Sequence, residues 1–452
     1  MNYSEAVAFL RTLTDMERDP AQAFAPVNFD LRLMESLLAR LGSPQAGRRT
    51  VHVAGSKGKG SIATMVAAVL HAAGLKVGLY TSPHLHRYEE RLAIDMKAVT
   101  SESFADLTDR VRHAVESEAS QGEFGAPSTF EALTAMAFTL FKEEECDIQV
   151  LEVGLGGRLD ATNVALDHKV CVIAPIGLEH TAILGDNVAA IAAEKAAIIG
   201  PDDVCVMSPQ RESAASVVRA RCAETGAELH EVAEVVRMRL GALSLDGRDL
   251  AVQTPRARYD LRLPLFAREQ AQNAAAAILA AELVEPDLEP SVPVRALAAL
   301  RLPGRQELIK RRPPTIVDVA HTEDSVRSLV ATLRDLGAAG VNLVFSPLAD
   351  KRLPEMAAAI GPLCAAVIVA AAPHPRAASP AEVMNVFHSQ DVPTYQATDI
   401  DAALELAHEL SDDRGWLVVV GSFAAVAAAR ETVLGLTPAL PTADPAKIRA
   451  EG

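Results

Sequence analysis

Residues 50–70 read TVHVAGSKGKGSIATMVAAVL. A short, largely β-branched run precedes a segment rich in glycine and lysine, and apolar residues at helical spacing follow, which predicts a strand, a tight loop and a helix N-terminus. Gly58 and Gly60 allow backbone N–H groups to approach a phosphate. Lys59 can reach the terminal phosphates, and Ser61 offers a hydroxyl to Mg²⁺. The alternative, a glycine-rich turn before a core helix, leaves the lysine and the hydroxyl unexplained, so we predict a phosphate cradle here.

The composition limits the classes of partner. The chain has 452 residues, which suggests two or three domains. Lys and Arg number 43 against 59 Asp and Glu, and the net charge of −16 disfavours a nucleic acid or an anionic membrane as partner. The five cysteines are widely spaced without a Cys-x-x-Cys pair, which indicates neither a disulfide framework nor a zinc site. Without a basic, apolar leader or an uncharged apolar run of about 18 residues, a cytoplasmic protein is expected.

Polar residues occur at the ends of three predicted strands. The residues and their strands are Ser82 (76–80), Glu152 (148–153) and His180 (170–176). Ligands bind at the carboxyl edge of open parallel sheets, where these side chains would meet. An unpaired carboxylate in an apolar strand is costly, so Glu152 needs a cation, and the candidates are Arg158 and Mg²⁺. The neighbouring phosphate cradle favours Mg²⁺.

Two predicted helices carry further candidates. Ser128 and Glu131 have the spacing of a capping box, which predicts a helix N-terminus and by itself explains both residues. Lys195 lies among small and apolar residues in the helical segment 191–199. The ordinary interpretation is a lysine on a solvated face, whereas a desolvated lysine has a lowered pKa and can be modified.

The second part of the chain predicts another doubly wound region. Residues 225–265 first indicate a hairpin-rich segment, and residues 268–284 an alanine-rich helix. Four prolines between 286 and 303 indicate a linker and a domain boundary near 300. Strands then alternate with helices, the strands being 315–318, 342–345, 366–370 and 416–420. The segment from 436 onward is rich in Pro and Ala, which predicts a flexible tail over 436–452.

Several of these segments, taken in order, resemble the folylpolyglutamate synthase/dihydrofolate synthase family of the Mur ligase superfamily. The matching strings are GSKGKGS (55–61), TSPHL (81–85), PSTFE (127–131), EVGLGGRLDATN (152–163), EKA (194–196), LPGR (302–305) and DVAH (318–321). The resemblance implies an α/β fold, in which a P-loop-type doubly wound ATPase domain at 1–300 is followed by a smaller Rossmann-like glutamate-ligase domain at 301–435.

The resemblance also implies an activity, ATP-dependent amide formation. The family adds L-glutamate to a folate, as a tetrahydrofolyl-polyglutamate synthase, or to dihydropteroate, as a dihydrofolate synthase, through an acyl phosphate with release of ADP and phosphate. The motifs leave open whether one or both reactions occur. The implied cofactors are ATP and two Mg²⁺ ions, and K⁺ or another monovalent cation is a further candidate. We expect small-molecule substrates and a monomer.

Residue roles follow from the same resemblance. ATP would contact Gly58, Lys59, Gly60, Ser61, Asn273, Arg305 and Asp318. The metal ligands would be Ser61, Ser82, Glu152 and His180. The pterin would lie against Thr129, Phe130 and Glu131. Catalytic roles fall to Lys59, His180, Lys195, Asp318 and His321, with Lys195 carbamylated. We expect the amino-acid substrate at His321 and Ser422, which follow strands of the second domain.

Two positions depart from the family pattern and keep other functions open. Ser56-Lys57 stands where the family usually has Thr-Asn, and Thr322-Glu323 stands where it has Asn-Pro. One alternative is a Mur-type ligase that acts on a non-folate carboxylate. Another is a nucleotide-binding regulator that no longer ligates, which an exposed, unmodified Lys195 would favour.

Overall fold

The computed structural model describes residues 1–15, 30–166, 169–411 and 415–437, whose strands form three sheets. No helix in these ranges combines the length and the apolar character that crossing a membrane requires. The predicted tail lies outside the described residues from 438 onward.

The first sheet contains the predicted strand of the phosphate cradle at its centre. Its strands are β1 (Arg49–Ala54), β2 (Val77–Tyr80), β3 (Leu92–Ile94), β4 (Lys97–Ala98), β5 (Ile148–Glu152), β6 (Lys169–Ile173), β7 (Val204–Met207) and β8 (Glu228–Glu231). They lie in the order β4-β3-β2-β5-β1-β6-β7-β8. Parallel pairing sets Val53 of β1 beside Glu152 of β5 on one side and Val172 of β6 on the other. The carboxyl ends of the three central strands therefore meet at one edge.

Helices cover both faces of this sheet. They are α1 (Tyr3–Thr12), α2 (Leu31–Arg40), α3 (Lys59–Ala72), α4 (Ser101–Gln121), α5 (Thr129–Glu143), α6 (Thr181–Leu184), α7 (Val188–Ala196), α8 (Glu212–Thr225), α9 (Val232–Val235), α10 (Arg268–Val284) and α11 (Ser291–Ala298). A short 3₁₀ helix spans Tyr88–Arg91. One face packs on α3 and α10, whereas α4 and α5 lie in the core of the other. Because alanine is small, the alanine-rich α10 can pack closely against α3.

The helix predicted from the capping box begins as expected. Ser128 N donates to Glu131 Oε2 at 2.7 Å, and Glu131 N donates to Ser128 Oγ at 3.3 Å, so α5 starts at Thr129. This reciprocal pair satisfies two backbone N–H groups that the helix itself leaves unpaired. The capping prediction is confirmed.

Two further sheets complete the fold. The second is antiparallel, with β9 (Arg237–Ser244), β10 (Gly247–Gln253) and β11 (Arg258–Leu263), which confirms the hairpin prediction. The third contains β12 (Glu307–Arg311), β13 (Pro314–Asp318), β14 (Val341–Phe345), β15 (Cys364–Val369), β16 (Thr394–Gln396) and β17 (Trp416–Val420). Its helices are α12 (Glu323–Asp335), α13 (Leu353–Ile360), α14 (Pro380–His388), α15 (Ile400–Glu409) and α16 (Phe423–Leu434). The order β12-β13-β17-β14-β15-β16 is parallel from β13 onward.

The proline-rich segment 286–303, interpreted as a linker, contains a helix. This helix, α11, packs against α3 and β11. Leu297 is fully buried and Leu300 is 6% exposed in the core of the first sheet. Proline is tolerated in the first turn of a helix, so a run of prolines does not by itself exclude one. The domain boundary near 300 stays a prediction.

A glycine in β2 allows the approach of a core ring. A Cβ added at Gly78 would lie 2.4 Å from Cδ1 of the buried Phe141. We expect Gly78→Ala to lower the free energy of unfolding by about 2 kcal/mol, because the core has no room for the added methyl group. Urea unfolding measures the change.

The double variant G78A/F141L is the control for this cause. The smaller leucine relieves the clash, so the two substitutions together should destabilise less than the sum of the single losses. Strict additivity, or a Gly78→Ala protein as stable as the wild type, would contradict the packing argument.

Candidate active site

The phosphate cradle, residues 55–61, has the predicted strand–loop–helix form. Gly58 precedes α3 with φ +83°, a conformation that favours glycine. The N–H groups of Ser56 and Lys57 donate to Pro175 O at 2.9 and 3.1 Å, which fixes the loop against the segment that follows β6. The first turn of α3 thus offers its N–H groups at the carboxyl edge of the sheet, an arrangement suited to an anion.

Glu152 lies buried beside this cradle at the end of β5. Its Oε2 accepts from Ser82 N at 2.9 Å and would lie 2.9 Å from a Cβ added at Gly60. Burial raises the pKa of Glu152, while the positive charges of Lys59 and Arg305 act in the opposite direction. Lys59 and Arg305 thus supply positive charge near this buried carboxylate.

Arg158 is not the cation that accompanies Glu152. Its Nε instead lies 3.0 Å from Glu194 Oε1 at the surface. The remaining sequence candidate is Mg²⁺, and oxygen donors of Glu152, Ser82 and Ser61 are suited to it. Among the described residues no three or more His, Cys, Asp or Glu side chains form a metal cluster. Such a cluster is not required, because Mg²⁺ commonly uses one or two carboxylates together with waters and nucleotide phosphates.

Gln270 joins the cradle to α10, and sequence reasoning missed it as a site residue. Its Nε2 donates to Ser61 Oγ at 3.2 Å, and its Oε1 accepts from Asn273 Nδ2 at 3.1 Å. A Cβ added at Gly58 would lie 2.7 Å from Asn273 Oδ1. The first turn of α10 therefore lies against the cradle. The usable signal was the three-residue spacing of Gln270 and Asn273, which places both on one helix face.

Lys195 is buried and forms an ion pair that the sequence did not reveal. Its side chain is 2% exposed, and its Nζ lies 2.7 Å from Glu179 Oε1 and donates to Gly55 O at 3.0 Å. Burial lowers the pKa of Lys195, while Glu179 raises it. The solvated-face interpretation is wrong. The neighbouring His180 is exposed and has φ +44° at the start of α6.

Asp318 and Arg305 bring charge from the second domain to the candidate site. Asp318 ends β13 and accepts from Ala320 N at 3.1 Å, and burial raises its pKa to about 7. Arg305 lowers the pKa of both Asp318 and Glu152, so its charge acts on a carboxylate of each domain. The Arg305 guanidinium also lies 5.5 Å from the ring centroid of Phe423.

His321 has a defined tautomer. Nδ1 lies 2.9 Å from Val319 O, and a carbonyl only accepts, so Nδ1 carries the proton and Nε2 the lone pair. Burial lowers the pKa of His321 to about 4, which keeps the ring neutral at pH 7.

The remaining predicted residues have structural partners of their own. Ser422 caps α16 and donates to Ser346 O at 2.8 Å, so its hydroxyl is already engaged. Thr129 donates to Leu10 O at 3.0 Å, and Glu131 belongs to the capping box. Phe130 is half-buried, and a Cβ added at Gly154 would lie 2.5 Å from its Cζ. Phe130 is thus placed against the segment that follows Glu152.

Known families and proteins match the chain over both domains. The Mur ligase middle domain matches residues 53–281, and the Mur ligase glutamate ligase domain matches residues 304–423. A dihydrofolate synthase/folylpolyglutamate synthase of Mycobacterium tuberculosis is 32% identical over 443 residues, which cover 90% of each chain. The chain belongs to the folylpolyglutamate synthase family of Mur ligases.

A longer relative and a solved structure agree with this family. A probable bifunctional folylpolyglutamate synthase/dihydropteroate synthase of Haloferax volcanii is 34% identical over 96% of this chain, which spans 50% of that protein. The structure of Mycobacterium tuberculosis folylpolyglutamate synthase complexed with ADP superposes with a TM-score of 0.86 at 31% identity, covering 96% of this chain and 99% of that chain. The folylpolyglutamate synthase fold thus extends over both predicted domains.

The buried ion pair predicts a specific loss of stability. Glu179→Gln leaves the Lys195 ammonium buried without its counter-charge, and we expect the free energy of unfolding to fall by about 3 kcal/mol at pH 7. The pKa of Lys195 then falls further below its unfolded value, so the native state binds fewer protons than the unfolded state. Stability should therefore rise with pH more steeply than in the wild type. Denaturant unfolding at pH 6.5 to 9.5 measures both effects.

Glu194→Gln is the matched control, since its partner Arg158 is exposed. It should cost less than about 1 kcal/mol. Equal losses for the two variants would show that the burial of Lys195 does not matter.

Asp318 predicts a pH dependence of the opposite sign. Its pKa is about 7 in the folded chain against an ordinary value of 3.8, so the native state binds the extra proton between these values. This contribution to stability is present below pH 4 and is lost as the pH rises through 7, by up to about 1.4 kcal/mol per pH unit. Asp318→Asn should lack this fall, so its stability relative to the wild type should rise between pH 4.5 and 7.5. A pH-independent difference in unfolding free energy would contradict the assignment.

Proposed function

We propose that the chain is an ATP-dependent ligase that joins L-glutamate to a folate, to dihydropteroate, or to both, through an acyl phosphate. One observation carries the proposal, namely that the cradle and buried Glu152 of the first domain lie within electrostatic reach of Arg305 from the second. Phosphoryl transfer depends mainly on positioning and charge neutralisation, which two apposed polar edges provide.

ATP is proposed to bind with its phosphates on residues 58–61. Helix α3 presents its N-terminus there, and Lys59 adds a positive charge. Asn273 and Gln270 support the loop from α10. Ser61, Ser82 and Glu152 would hold Mg²⁺, which when bound neutralises phosphate charge.

The chemistry has two balanced steps. The acceptor carboxylate attacks the γ-phosphorus, and the bond to the β,γ-bridging oxygen breaks to release ADP. The glutamate amine then attacks the acyl carbon, and phosphate leaves with the electron pair of the carbon–oxygen bond. In this proposal Lys59 and Arg305 stabilise the negative charge that develops during transfer.

The amine must lose a proton, and two residues are placed to assist. A general base works best when its pKa lies near the working pH. The pKa of Asp318 is about 7, whereas that of His321 is about 4. We therefore assign proton acceptance to Asp318, and hydrogen-bond acceptance through Nε2 to His321.

Carbamylation of Lys195 and a second metal at His180 form a linked proposal. Unmodified Lys195 is a cation whose charge is balanced by Glu179. Carbamylation would replace this cation by an anion beside the Glu179 carboxylate, and such a pair requires another cation to stabilise it. The lowered pKa of Lys195 supports the modification, because only the neutral amine reacts with CO₂. A monovalent cation, a monomeric state and a cytoplasmic location remain predictions.

The alternatives have less support. An exposed Lys195 would favour a regulator without ligase activity, but Lys195 is buried. A Mur-type ligase for a non-folate carboxylate is disfavoured by relatives that are named for folylpolyglutamate and dihydrofolate synthesis. Both alternatives are nevertheless outcomes of the test that follows.

The test is phosphate release from ATP and Mg²⁺ with L-glutamate in the presence of tetrahydrofolate, dihydropteroate or no acceptor. We expect acceptor-dependent release and a product that is heavier by one glutamyl residue. Glu152→Gln should lower kcat at least about 100-fold, because the buried anion beside the cradle is lost. The surface variant Glu194→Gln should retain activity.

Each contrary result has a clear meaning. Release that neither folate-type acceptor stimulates, although ATP binds, would overturn the folate assignment in favour of another carboxylate. ATP binding without acceptor-dependent release from any carboxylate would favour the regulator. An unaffected Glu152→Gln enzyme would remove the proposed metal position.

A further inference from the structure

Lys57 and Thr322 belong to different domains and contact each other directly. Lys57 is part of the phosphate cradle, and Thr322 precedes α12 of the third sheet. Lys57 Nζ lies 3.1 Å from Thr322 Oγ1. Both residues depart from the family pattern given above, so the family motifs do not specify this contact.

The direction of the hydrogen bonds is determined by chemistry. An ammonium only donates, so Thr322 Oγ1 accepts from Lys57. The Thr322 hydroxyl proton then goes to Ser325 Oγ at 2.7 Å, and Ser325 Oγ donates to Thr322 O at 2.9 Å. These last bonds belong to the capping structure at the start of α12. The contact from Lys57 is therefore continuous with the N-terminus of that helix.

Charges on both domains accommodate Lys57 at this position. A cation at a helix N-terminus opposes the helix dipole, and acidic residues in the first turn offset that repulsion. Helix α12 carries Glu323 and Asp324 in its first turn. Partial desolvation, Arg305 and Lys59 lower the pKa of Lys57, whereas Glu179 from the first domain and Asp324 from the second raise it. Lys57 nevertheless stays exposed to solvent. Lys57 thus lies under the attraction of one carboxylate from each domain.

Among the described residues, the other hydrogen bonds and ion pairs from α12 to the first domain lie further along the helix. Ser328 Oγ donates to Glu269 Oε2 at 2.9 Å. Asp335, the last residue of the helix, pairs with Arg268 at 3.1 Å. A helix of 13 residues is about 20 Å long, so Lys57 contacts the end of α12 opposite to Asp335, where Glu323 also lies 3.9 Å from Arg352 of its own domain. His321 directly precedes Thr322, and a tilt of this end would move His321 relative to the cradle.

We propose that Lys57 is a positioning residue that fixes the N-terminal end of α12, and with it His321, against the phosphate cradle. It acts through Thr322 rather than as a ligand of the nucleotide. The proposal rests on the ligase function proposed above, because it concerns the geometry of the second step of that reaction.

The kinetic test uses Lys57→Met, Thr322→Val and the double variant. Each single change should lower kcat about fivefold, since one hydrogen bond from a charged donor is lost. The double variant should be no slower than either single variant, and KM for ATP should stay within about twofold. Thr322→Ser keeps the hydroxyl and should recover wild-type kcat within about twofold.

Ser325→Ala is a control for the return bonds of the capping box. It removes the bonds of Thr322 to Ser325 Oγ but keeps the N-cap bond from Ser325 N to Thr322 Oγ1 and the acceptor of Lys57, so kcat should change less than about twofold. A loss equal to that of Thr322→Val would overturn the proposal, because the cap alone would explain the effect. A rise in KM for ATP in Lys57→Met but not in Thr322→Val would also overturn it, because Lys57 would then contact the phosphates. Losses in kcat that add in the double variant would also overturn the proposal, because Lys57 and Thr322 would then act independently.

Amide hydrogen exchange provides a readout that does not depend on ligation. In the full chain with a saturating non-hydrolysable ATP analogue, exchange in the first turn of α12 should be several-fold faster in Lys57→Met than in the wild type. Lys97→Met, which changes an exposed lysine of β4, should leave it unchanged. Unchanged exchange in Lys57→Met would refute the positioning role even if the ligase reaction is confirmed. Faster exchange without any ligation would instead retain the contact and reject the proposed function.

Discussion

The burial of the Glu152 carboxylate at the end of a central strand is the constraint on which the site depends. An anion removed from water raises the free energy of the fold unless positive charge and hydrogen bonds compensate. Ser82 N supplies a hydrogen bond, and Lys59 supplies charge from the first domain. Arg305 adds charge from the second domain. One buried carboxylate thus links the cradle, the neighbouring strand and the third sheet.

A second buried charge maintains the shape of the cradle. Lys195 pairs with Glu179 and donates to Gly55 O, so this buried lysine is a structural support of the loop. A Cβ added at Gly55 would lie 2.6 Å from Ala174 Cβ, so this part of the loop has no room for a side chain. The position of the backbone N–H groups around a phosphate therefore depends on both the ion pair and the close packing.

Local sequence patterns predicted the elements well, because they reflect interactions between near neighbours. The strand–loop–helix of the cradle, the capping box at Ser128 and the bounds of α10 are of this kind. Glu179 and Gln270 could not be found in the same way, since their roles depend on Lys195 and Ser61, which are distant in sequence. The prolines of 286–303 did not reveal helix α11, for a related reason. Prolines indicate only the backbone conformation near themselves, whereas α11 is stabilised by burial of Leu297 against another helix. The interpretation of Lys57 and Thr322 as separate departures likewise missed that they meet in space.

The packing of α11 leaves a short connection between the domains. Leu302 is still buried with the first sheet at 7% exposure, and β12 begins at Glu307, so residues 303–306 alone join the two cores. Within this short segment Gly304 and Gln306 both have positive φ. A connection of four residues keeps the phosphate cradle of the first domain and the strand ends of the third sheet close together. Each is then at a high effective concentration relative to the other, as are two binding sites joined by a short linker. Bringing Asp318 and His321 to the phosphates then resembles an intramolecular reaction, in which most of the entropy of encounter is already lost when the chain folds.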